Sequence, residues 1–127
     1  MTRPPAFVIH GLAHARLALA QGRPVTLLSA PNAAAFAGCG WWRAVIAASG
    51  AGVETPDILD CGAAPGRALE ALSAGCRLLV LRPCPAWADV AGRAALQAAE
   101  LLPARPPALD LAEPGAARRI AAWLAFG

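Results

Sequence analysis

The chain has 127 residues, of which 57% are hydrophobic and 15% are charged, and its formal net charge is +3. One domain is the usual content of a chain of this length, so residues 1–127 are predicted to form a single domain with its own core. Typical soluble domains contain about 25% charged residues. So low a charged fraction on so small a protein predicts a homodimer that hides one apolar face.

The basic residues do not form the pattern of a nucleic-acid-binding surface. All eleven are arginines, and only Arg118 and Arg119 are adjacent, whereas such a surface usually clusters its cations among aromatic side chains. The most hydrophobic stretch, residues 27–52, is interrupted by Pro31, Asn32 and Arg43, which argues against a membrane span. The N-terminus lacks the apolar segment of a secretory signal. We therefore expect a cytoplasmic protein without nucleic-acid or membrane partners.

Short apolar runs alternate with helix-like segments along the whole chain. The apolar runs predict five strands, at residues 7–9, 25–28, 57–60, 77–81 and 109–111. The segments between and after them predict helices at 11–21, 31–49, 65–74 and 85–102 and from 113 onward. Gly75 is expected to end the third helix in a left-handed conformation.

Five units of strand and helix imply parallel strands joined by right-handed crossovers, with helices on both faces of the sheet. The predicted fold is therefore a three-layer α/β/α sandwich with a five-stranded parallel sheet. We favour the flavodoxin-like strand order 2-1-3-4-5 over 3-2-1-4-5.

Polar residues stand where the predicted strands end. In an open parallel sheet such positions meet at one edge, and ligands bind there. The predicted pocket is lined by five residues, His10, Ser29, Asn32, Asp60 and Arg82. Free N–H groups at the starts of helices and the Arg82 guanidinium favour a small anionic or polar ligand. Helix starts also need polar caps, which is an alternative reason for these residues.

A second hypothesis is an enzyme that uses Cys61 as its nucleophile and His10 as its base. Cys61 follows a strand and precedes a helix, where the helix dipole would lower its thiol pKa. The alternative is that Cys61 is a small buried apolar residue. The four cysteines form no Cys-x-x-Cys pair and are expected to be free thiols. No glycine-rich nucleotide motif is present, so no cofactor is assigned.

A metal site is not predicted. His10 and His14 have the i,i+4 spacing that can hold a metal on one face of a helix. However, His10 is expected to end a strand, and no Asp, Glu or Cys follows at a ligand spacing.

The adjacent Trp41 and Trp42 suggest a third hypothesis, a module that binds another protein molecule. Adjacent side chains on a helix point about 100° apart, so both are buried only if the helix is nearly surrounded. Tryptophan is enriched in the cores of interfaces, and we prefer a dimer contact through one of the pair. Ordinary packing against the sheet is the alternative.

The chain resembles response-regulator receiver domains in its length and its alternation of strands and helices. Asp60 ends the third predicted strand, as the phosphoacceptor does in that family, and Pro65 and Gly66 follow at nearly the same spacing. The family's acidic metal ligands are replaced by His10 and Gly11, and its conserved lysine has no counterpart because the chain contains no lysine. The resemblance therefore implies a degenerate, non-catalytic interaction module rather than phosphotransfer.

Overall fold

The computed structural model describes residues 3–126. Its strands are β1 (Ala6–Val8), β2 (Thr26–Leu28), β3 (Asp57–Asp60), β4 (Leu78–Val80), β5 (Glu100–Leu102) and β6 (Ala108–Asp110). Its helices are α1 (Leu12–Leu19), α2 (Ala33–Phe36), α3 (Cys39–Ser49), α4 (Pro65–Ser73), α5 (Trp87–Leu96) and α6 (Ala116–Phe126). No helix in this part of the chain is long and apolar enough to cross a membrane.

The strands form one parallel sheet in the order β5-β4-β3-β2-β1-β6. The α/β class with a parallel sheet flanked by helices, to which flavodoxin-like folds belong, is confirmed. The predicted number of five strands and the predicted order 2-1-3-4-5 are wrong. Consecutive strands from β1 to β5 are neighbours in space, and the chain changes direction only when β6 joins the other side of β1.

The strand that sequence reasoning missed is β5. It lies inside the region predicted as one helix over 85–102, but α5 ends at Leu96. Ala98 adopts a left-handed conformation with φ of 55°, which turns the chain out of the helix. Glycine usually occupies such a position, so an alanine here gives no sign in the sequence that the helix stops.

The predicted helix over 31–49 is two helices, α2 and α3. The chain breaks at Gly38, which has a φ of 92° that only glycine adopts at little cost. The N–H groups of Ala37 and Gly38 both bond to the carbonyl of Ala33, at 2.8 and 3.0 Å. These bonds close α2 and set a new direction for α3.

The helices pack on one face of the sheet. Every helix in the described chain places side chains in one large core, which also takes strand residues such as Phe7, Leu27 and Leu59. A second, smaller cluster on the opposite face contains Val8, Leu28, Ile58 and Val80, and no helix residue belongs to it. Right-handed crossovers that advance in one direction put their helices on the same side. The expectation of helices on both faces was therefore wrong.

The connection between β5 and β6 shows that the sheet is strongly curved. These strands lie at opposite edges, five inter-strand steps apart, which is about 24 Å in a flat sheet. The six steps from Leu102 to Ala108 span at most about 22 Å, and the connection must also return along the strands because both point the same way. A flat sheet is thus excluded.

Two further observations indicate that the sheet curls around its helix-free face. Arg3, which precedes β1, forms an ion pair with Glu100 of β5 at 2.6 Å, although three strands separate β1 from β5. The helix-free cluster is only 0–5% exposed without any helix to cover it. The proline-rich connection 103–107 reaches this face, because Arg105 bonds to Asp60, which lies on the same side of β3 as Ile58 of the helix-free cluster.

Candidate functional site

Four polar residues at the carboxyl ends of strands share the helix-free side of the sheet. His10 follows Val8 by two residues, Asp60 follows Ile58, Arg82 follows Val80 and Asp110 follows Ala108. Alternate residues of a strand point to the same face. These four side chains therefore form a polar rim, which we call the mouth, at the carboxyl edge of the helix-free face. Their contacts, described below, divide them between two groups.

Asp60 is the most constrained polar residue of the mouth. It is only 3% exposed, and its carboxylate accepts three hydrogen bonds. Oδ1 accepts from the backbone N–H of Gly62 at 2.7 Å and of Asn32 at 3.3 Å. Oδ2 accepts from Nη1 of Arg105 at 2.7 Å. A buried carboxylate needs such partners, so Asp60 holds together the loops that follow β2, β3 and β5.

The loop after β3 passes very close to the loop after β2. Asn32 has a left-handed backbone with φ of 59°, and Gly62 has a φ of 58°. A Cβ atom placed on Gly62 would collide with Oδ1 of Asn32. Gly62 is therefore required both by its conformation and by the close approach of Asn32.

A pocket of about 580 Å³ opens beside Asp60. Its polar lining residues are Asn32, Asp60, Arg82 and Arg105. Arg82 is exposed, and its guanidinium forms no ion pair with any other residue of the described chain. The rest of the lining is mostly apolar and consists of Pro31, Gly62, Val80, Pro83, Pro103 and Ala104.

Ser29 supports this pocket without lining it. Its side chain is fully buried. Its Oγ accepts a 2.9 Å hydrogen bond from the backbone N–H of Asp60 and donates one to the carbonyl of Ala30 at 3.0 Å. Ser29 therefore links the end of β2 to the end of β3 and sets the position of Asp60.

His10 belongs to a second group, at the ends of β1 and β6. Its Nε2 lies 2.8 Å from Oδ1 of Asp110, and its backbone N–H donates to Nδ1 of His14 at 3.1 Å. Burial raises the pKa of Asp110, but the hydrogen bonds from the Ala112 N–H and from His10 outweigh it and lower that pKa. Because β2 lies between β1 and β3, His10 is not the neighbour of Asp60 that the order 2-1-3-4-5 implied.

Cys61 lies on the opposite side of β3 from Asp60. Its thiol is 1% exposed and packs in the large core. Burial, together with the nearby Cys76 and Asp60, raises its pKa to about 12, so the expected lowering by the helix dipole is wrong. The geometry gives no support to Cys61 as a nucleophile with His10 as base. The structure pairs none of the four cysteines in a disulfide.

The two tryptophans differ in their surroundings. Trp42 is completely buried, and its Nε1 donates to Oδ1 of Asp57 at 3.1 Å. Trp41 is half-buried and packs against the large core. Trp42 therefore has no surface to offer a partner, and a dimer contact would have to use Trp41 and its neighbours.

A second pocket, of about 650 Å³, lies at the opposite edge of the sheet. Its charged residues include Arg43, Asp57 and Arg77. The helices α3 and α4 end here, and their last carbonyl groups make this the negative end of the helix dipoles. In parallel α/β sheets ligands bind at the carboxyl edge, so the pocket beside Asp60 is the better candidate. Within residues 3–126 no group of His, Cys, Asp and Glu side chains is arranged to hold a metal ion.

Sequence reasoning placed Asn32, Asp60 and Arg82 in the site, and the structure brings these three together. It missed Arg105 and Gly62. Gly62 follows a strand-ending Asp by two residues, which is a turn signal that the sequence carries. Arg105 stands between prolines in a segment that was predicted only as a turn. Its contact with Asp60 depends on how the connection 103–107 crosses the helix-free face, which the sequence does not reveal.

Comparison of the chain with protein families, curated proteins and solved structures found no match. Its function is therefore inferred from the geometry of the site.

Proposed function

We propose that this protein binds a small anionic ligand in the pocket beside Asp60, at the carboxyl edge of the sheet. The observation that carries the proposal is that two arginines, Arg82 and Arg105, line one pocket whose only acidic residue is Asp60. Guanidinium groups bind carboxylate and phosphate in a two-point geometry. The amide of Asn32 adds a neutral polar group to the same wall.

The partners of Asp60 explain why a negative ligand suits a pocket that contains a carboxylate. Both oxygens of Asp60 already accept hydrogen bonds from the protein. Arg105 uses Nη1 for Asp60 and has further N–H donors, while Arg82 has no ion-pair partner in the described chain. The two arginines and one carboxylate leave a net charge of about +1 in the pocket.

Arg77 and Arg82 provide a matched pair for testing the site. Arg77 precedes β4 and lines the pocket at the amino edge, whereas Arg82 follows β4 and lines the proposed site. We expect Arg82→Ala to weaken the binding of small anions at least about tenfold, because it removes charge-assisted hydrogen bonds. Arg77→Ala changes the net charge equally and is expected to leave binding unaltered.

The measurement is isothermal titration calorimetry with inorganic phosphate, acetate, hexanoate and benzoate, supported by unfolding curves for both variants. Equal affinities of the Arg82→Ala variant and the unchanged protein would remove Arg82 from the site. Equal weakening in both variants would instead point to a general charge effect.

We further propose that the protein acts in the cytoplasm and forms a homodimer. Phe36 of α2 is 71% exposed and lies close in sequence to the half-buried Trp41, so this surface is the best candidate for the contact. Light scattering after gel filtration tests it with Phe36→Ser, and Leu96→Ser serves as the control because Leu96 is 85% exposed on α5. A dimer lost only in Phe36→Ser is expected, and a monomeric unchanged protein would refute it.

A further inference from the structure

The residues that line the pocket beside Asp60 form a polar set and an apolar set, which we call its polar half and its apolar half. One half carries Asn32, Arg82 and Arg105, and the other is built from the side chains of Val80, Pro83 and Pro103 together with Pro31 and Ala104. Val80 is a member of the helix-free cluster, so the apolar half is continuous with the apolar layer that the curved sheet encloses. An inorganic ion would gain no binding energy from the apolar half.

The apolar half is rigid as well as apolar. Proline rings have almost no side-chain entropy to lose when a ligand packs against them, and their fixed φ angles restrict the chain around them. Val80 is 2% exposed and forms part of the wall without needing to move. Such a preformed wall favours a ligand that brings an apolar group of its own.

The charge of the polar half favours one negative charge on the ligand. The carboxylate of Asp60 is only 3% exposed and is satisfied by three protein donors. Arg105 is shared with Asp60, and Arg82 is the remaining unshared cation. A monoanion would neutralise the pocket, while a phosphate dianion would leave it with an excess negative charge close to Asp60.

We propose that the ligand is a monocarboxylate with an apolar body, whose carboxylate binds Arg82 and Arg105 and whose body packs on the proline wall above Val80. This inference rests on the proposed function and narrows it to one class of ligand. Acetate and inorganic phosphate are then weak ligands because each lacks the apolar body.

A homologous series of straight-chain carboxylates tests the proposal by calorimetry on the full chain. From acetate to hexanoate the affinity is expected to rise by about three- to fourfold for each added methylene, the gain that full burial of that group gives. Phenyl phosphate and inorganic phosphate are compared with benzoate under the same conditions. Benzoate is expected to bind more tightly than both.

Ala104→Trp provides a second readout, because a large side chain at this exposed position would fill the apolar half and leave the arginines in place. The variant is expected to flatten the dependence of affinity on chain length and to keep the weak binding of acetate. Ala121→Trp, on an exposed position of α6, serves as the control and is expected to keep the full dependence.

The results separate this inference from the proposed function. Affinities that are independent of chain length, or inorganic phosphate as tight as hexanoate, would overturn the monocarboxylate and leave an anion site standing. Absence of binding by every anion would overturn both. A full chain-length dependence in Ala104→Trp would place the apolar body elsewhere and also overturn the inference.

Discussion

The two ends of β3 and β4 carry the same residue types in different surroundings. β3 begins with Asp57 and ends with Asp60, and β4 is preceded by Arg77 and followed by Arg82. Asp60, at the carboxyl end, accepts bonds from two backbone N–H groups and one guanidinium. Asp57, at the amino end, accepts one bond, from Nε1 of Trp42. Three protein donors thus hold the buried carboxylate of Asp60, whereas one holds the half-buried carboxylate of Asp57.

The direction of the chain explains this difference. A strand that ends in Asp is followed by a turn whose N–H groups reach back to the carboxylate. Asp60 bonds to the N–H of Gly62 at 2.7 Å, and Asp110 bonds to the N–H of Ala112 at 2.9 Å. The amino ends of the strands instead follow the last turns of helices, where carbonyl groups are exposed. The turns at the carboxyl edge therefore offer backbone donors to an anion, whereas at the amino edge Arg43 and Arg77 are balanced by Asp57 and Glu100.

The largest expected effect concerns the reactivity of two cysteines, Cys61 and Cys76. Both pack on the side of the sheet that the helices cover, where we expect the two ends of the strands not to differ. Cys61 follows Asp60 and Cys76 precedes Arg77, yet both thiols are buried in the large core, and burial raises the pKa of each to about 12. We expect iodoacetamide at pH 8 to alkylate both at least about a thousandfold more slowly than free cysteine, because so few molecules carry the thiolate. The half-buried Cys39 and Cys84 react first.

Peptide mapping by mass spectrometry, with free cysteine as an internal standard, gives the rate at each position. Fast alkylation of Cys61 in the folded protein, with Cys76 still slow, would restore the nucleophile hypothesis. Equally slow alkylation of Cys61 and Cys76 would show that the two ends of the strands do not differ in thiol reactivity on the side of the sheet that the helices cover.

The next largest effect is on stability, and it compares the two aspartates directly. Asp60→Ala removes the acceptor of Arg105 and of two backbone N–H groups, and the expected loss is about 3 kcal/mol of unfolding free energy. Asp57→Ala leaves the buried Nε1–H of Trp42 without its acceptor but also relieves the burial of a charge, so a net loss of about 1 kcal/mol is expected. Urea unfolding of both variants measures the difference. Equal losses would contradict the comparison.

The sequence predicted the α/β class and three residues of the pocket because both depend on local pattern. Apolar runs and helix signals alternate, and the carboxyl ends of parallel strands always share an edge. Asn32, Asp60 and Arg82 lie on consecutive strand ends, so they come together even though the predicted strand order was wrong. His10 was misplaced beside Asp60 because its position depends on that order.

The features that were missed depend on tertiary structure. β5 is three residues long and follows an alanine, Ala98, in a conformation that glycine normally takes. Because β5 was not predicted, the path of the connection 103–107 across the helix-free face could not be predicted. The contact of Arg105 with Asp60, which depends on that path, was missed for the same reason. The buried state of Cys61 also follows from which side of β3 the helices cover.

A smaller effect is expected on the pH dependence of stability, through the ionisation of Asp57. Burial raises its pKa, against the opposing influence of the Trp42 hydrogen bond and the Arg43 charge. A raised folded-state pKa means that stability falls as the pH increases from the unfolded value, near 3.8, through the folded value. Asp57→Asn should keep the bond from Trp42 and avoid this loss. The variant is therefore expected to unfold at a higher temperature at pH 7 and to lose that advantage below the unfolded pKa.

The smallest effect concerns the second carboxylate of the carboxyl edge, Asp110. Its pKa is lowered in the folded protein because the hydrogen bonds from Ala112 and His10 together outweigh burial. The contribution of Asp110 to stability is therefore present above the pKa of the unfolded state and is lost as the pH falls through the pKa of the folded state. His10→Ala removes one of the two donors. The side chains of His10 and Asp110 are 36% and 31% exposed, and the expected change at pH 7 is below about 1 kcal/mol.

A titration followed by NMR resolves so small a change better than unfolding does. The pKa of Asp110 is expected to rise in His10→Ala and to stay below the value in a double variant that also carries Ala112→Pro, which removes the backbone donor. If His10→Ala alone brings the pKa to that of the double variant, the turn N–H contributes nothing. The proposed affinity of the carboxyl edge for anions would then depend on side chains such as His10 and Arg105, and not on the backbone that every parallel sheet provides.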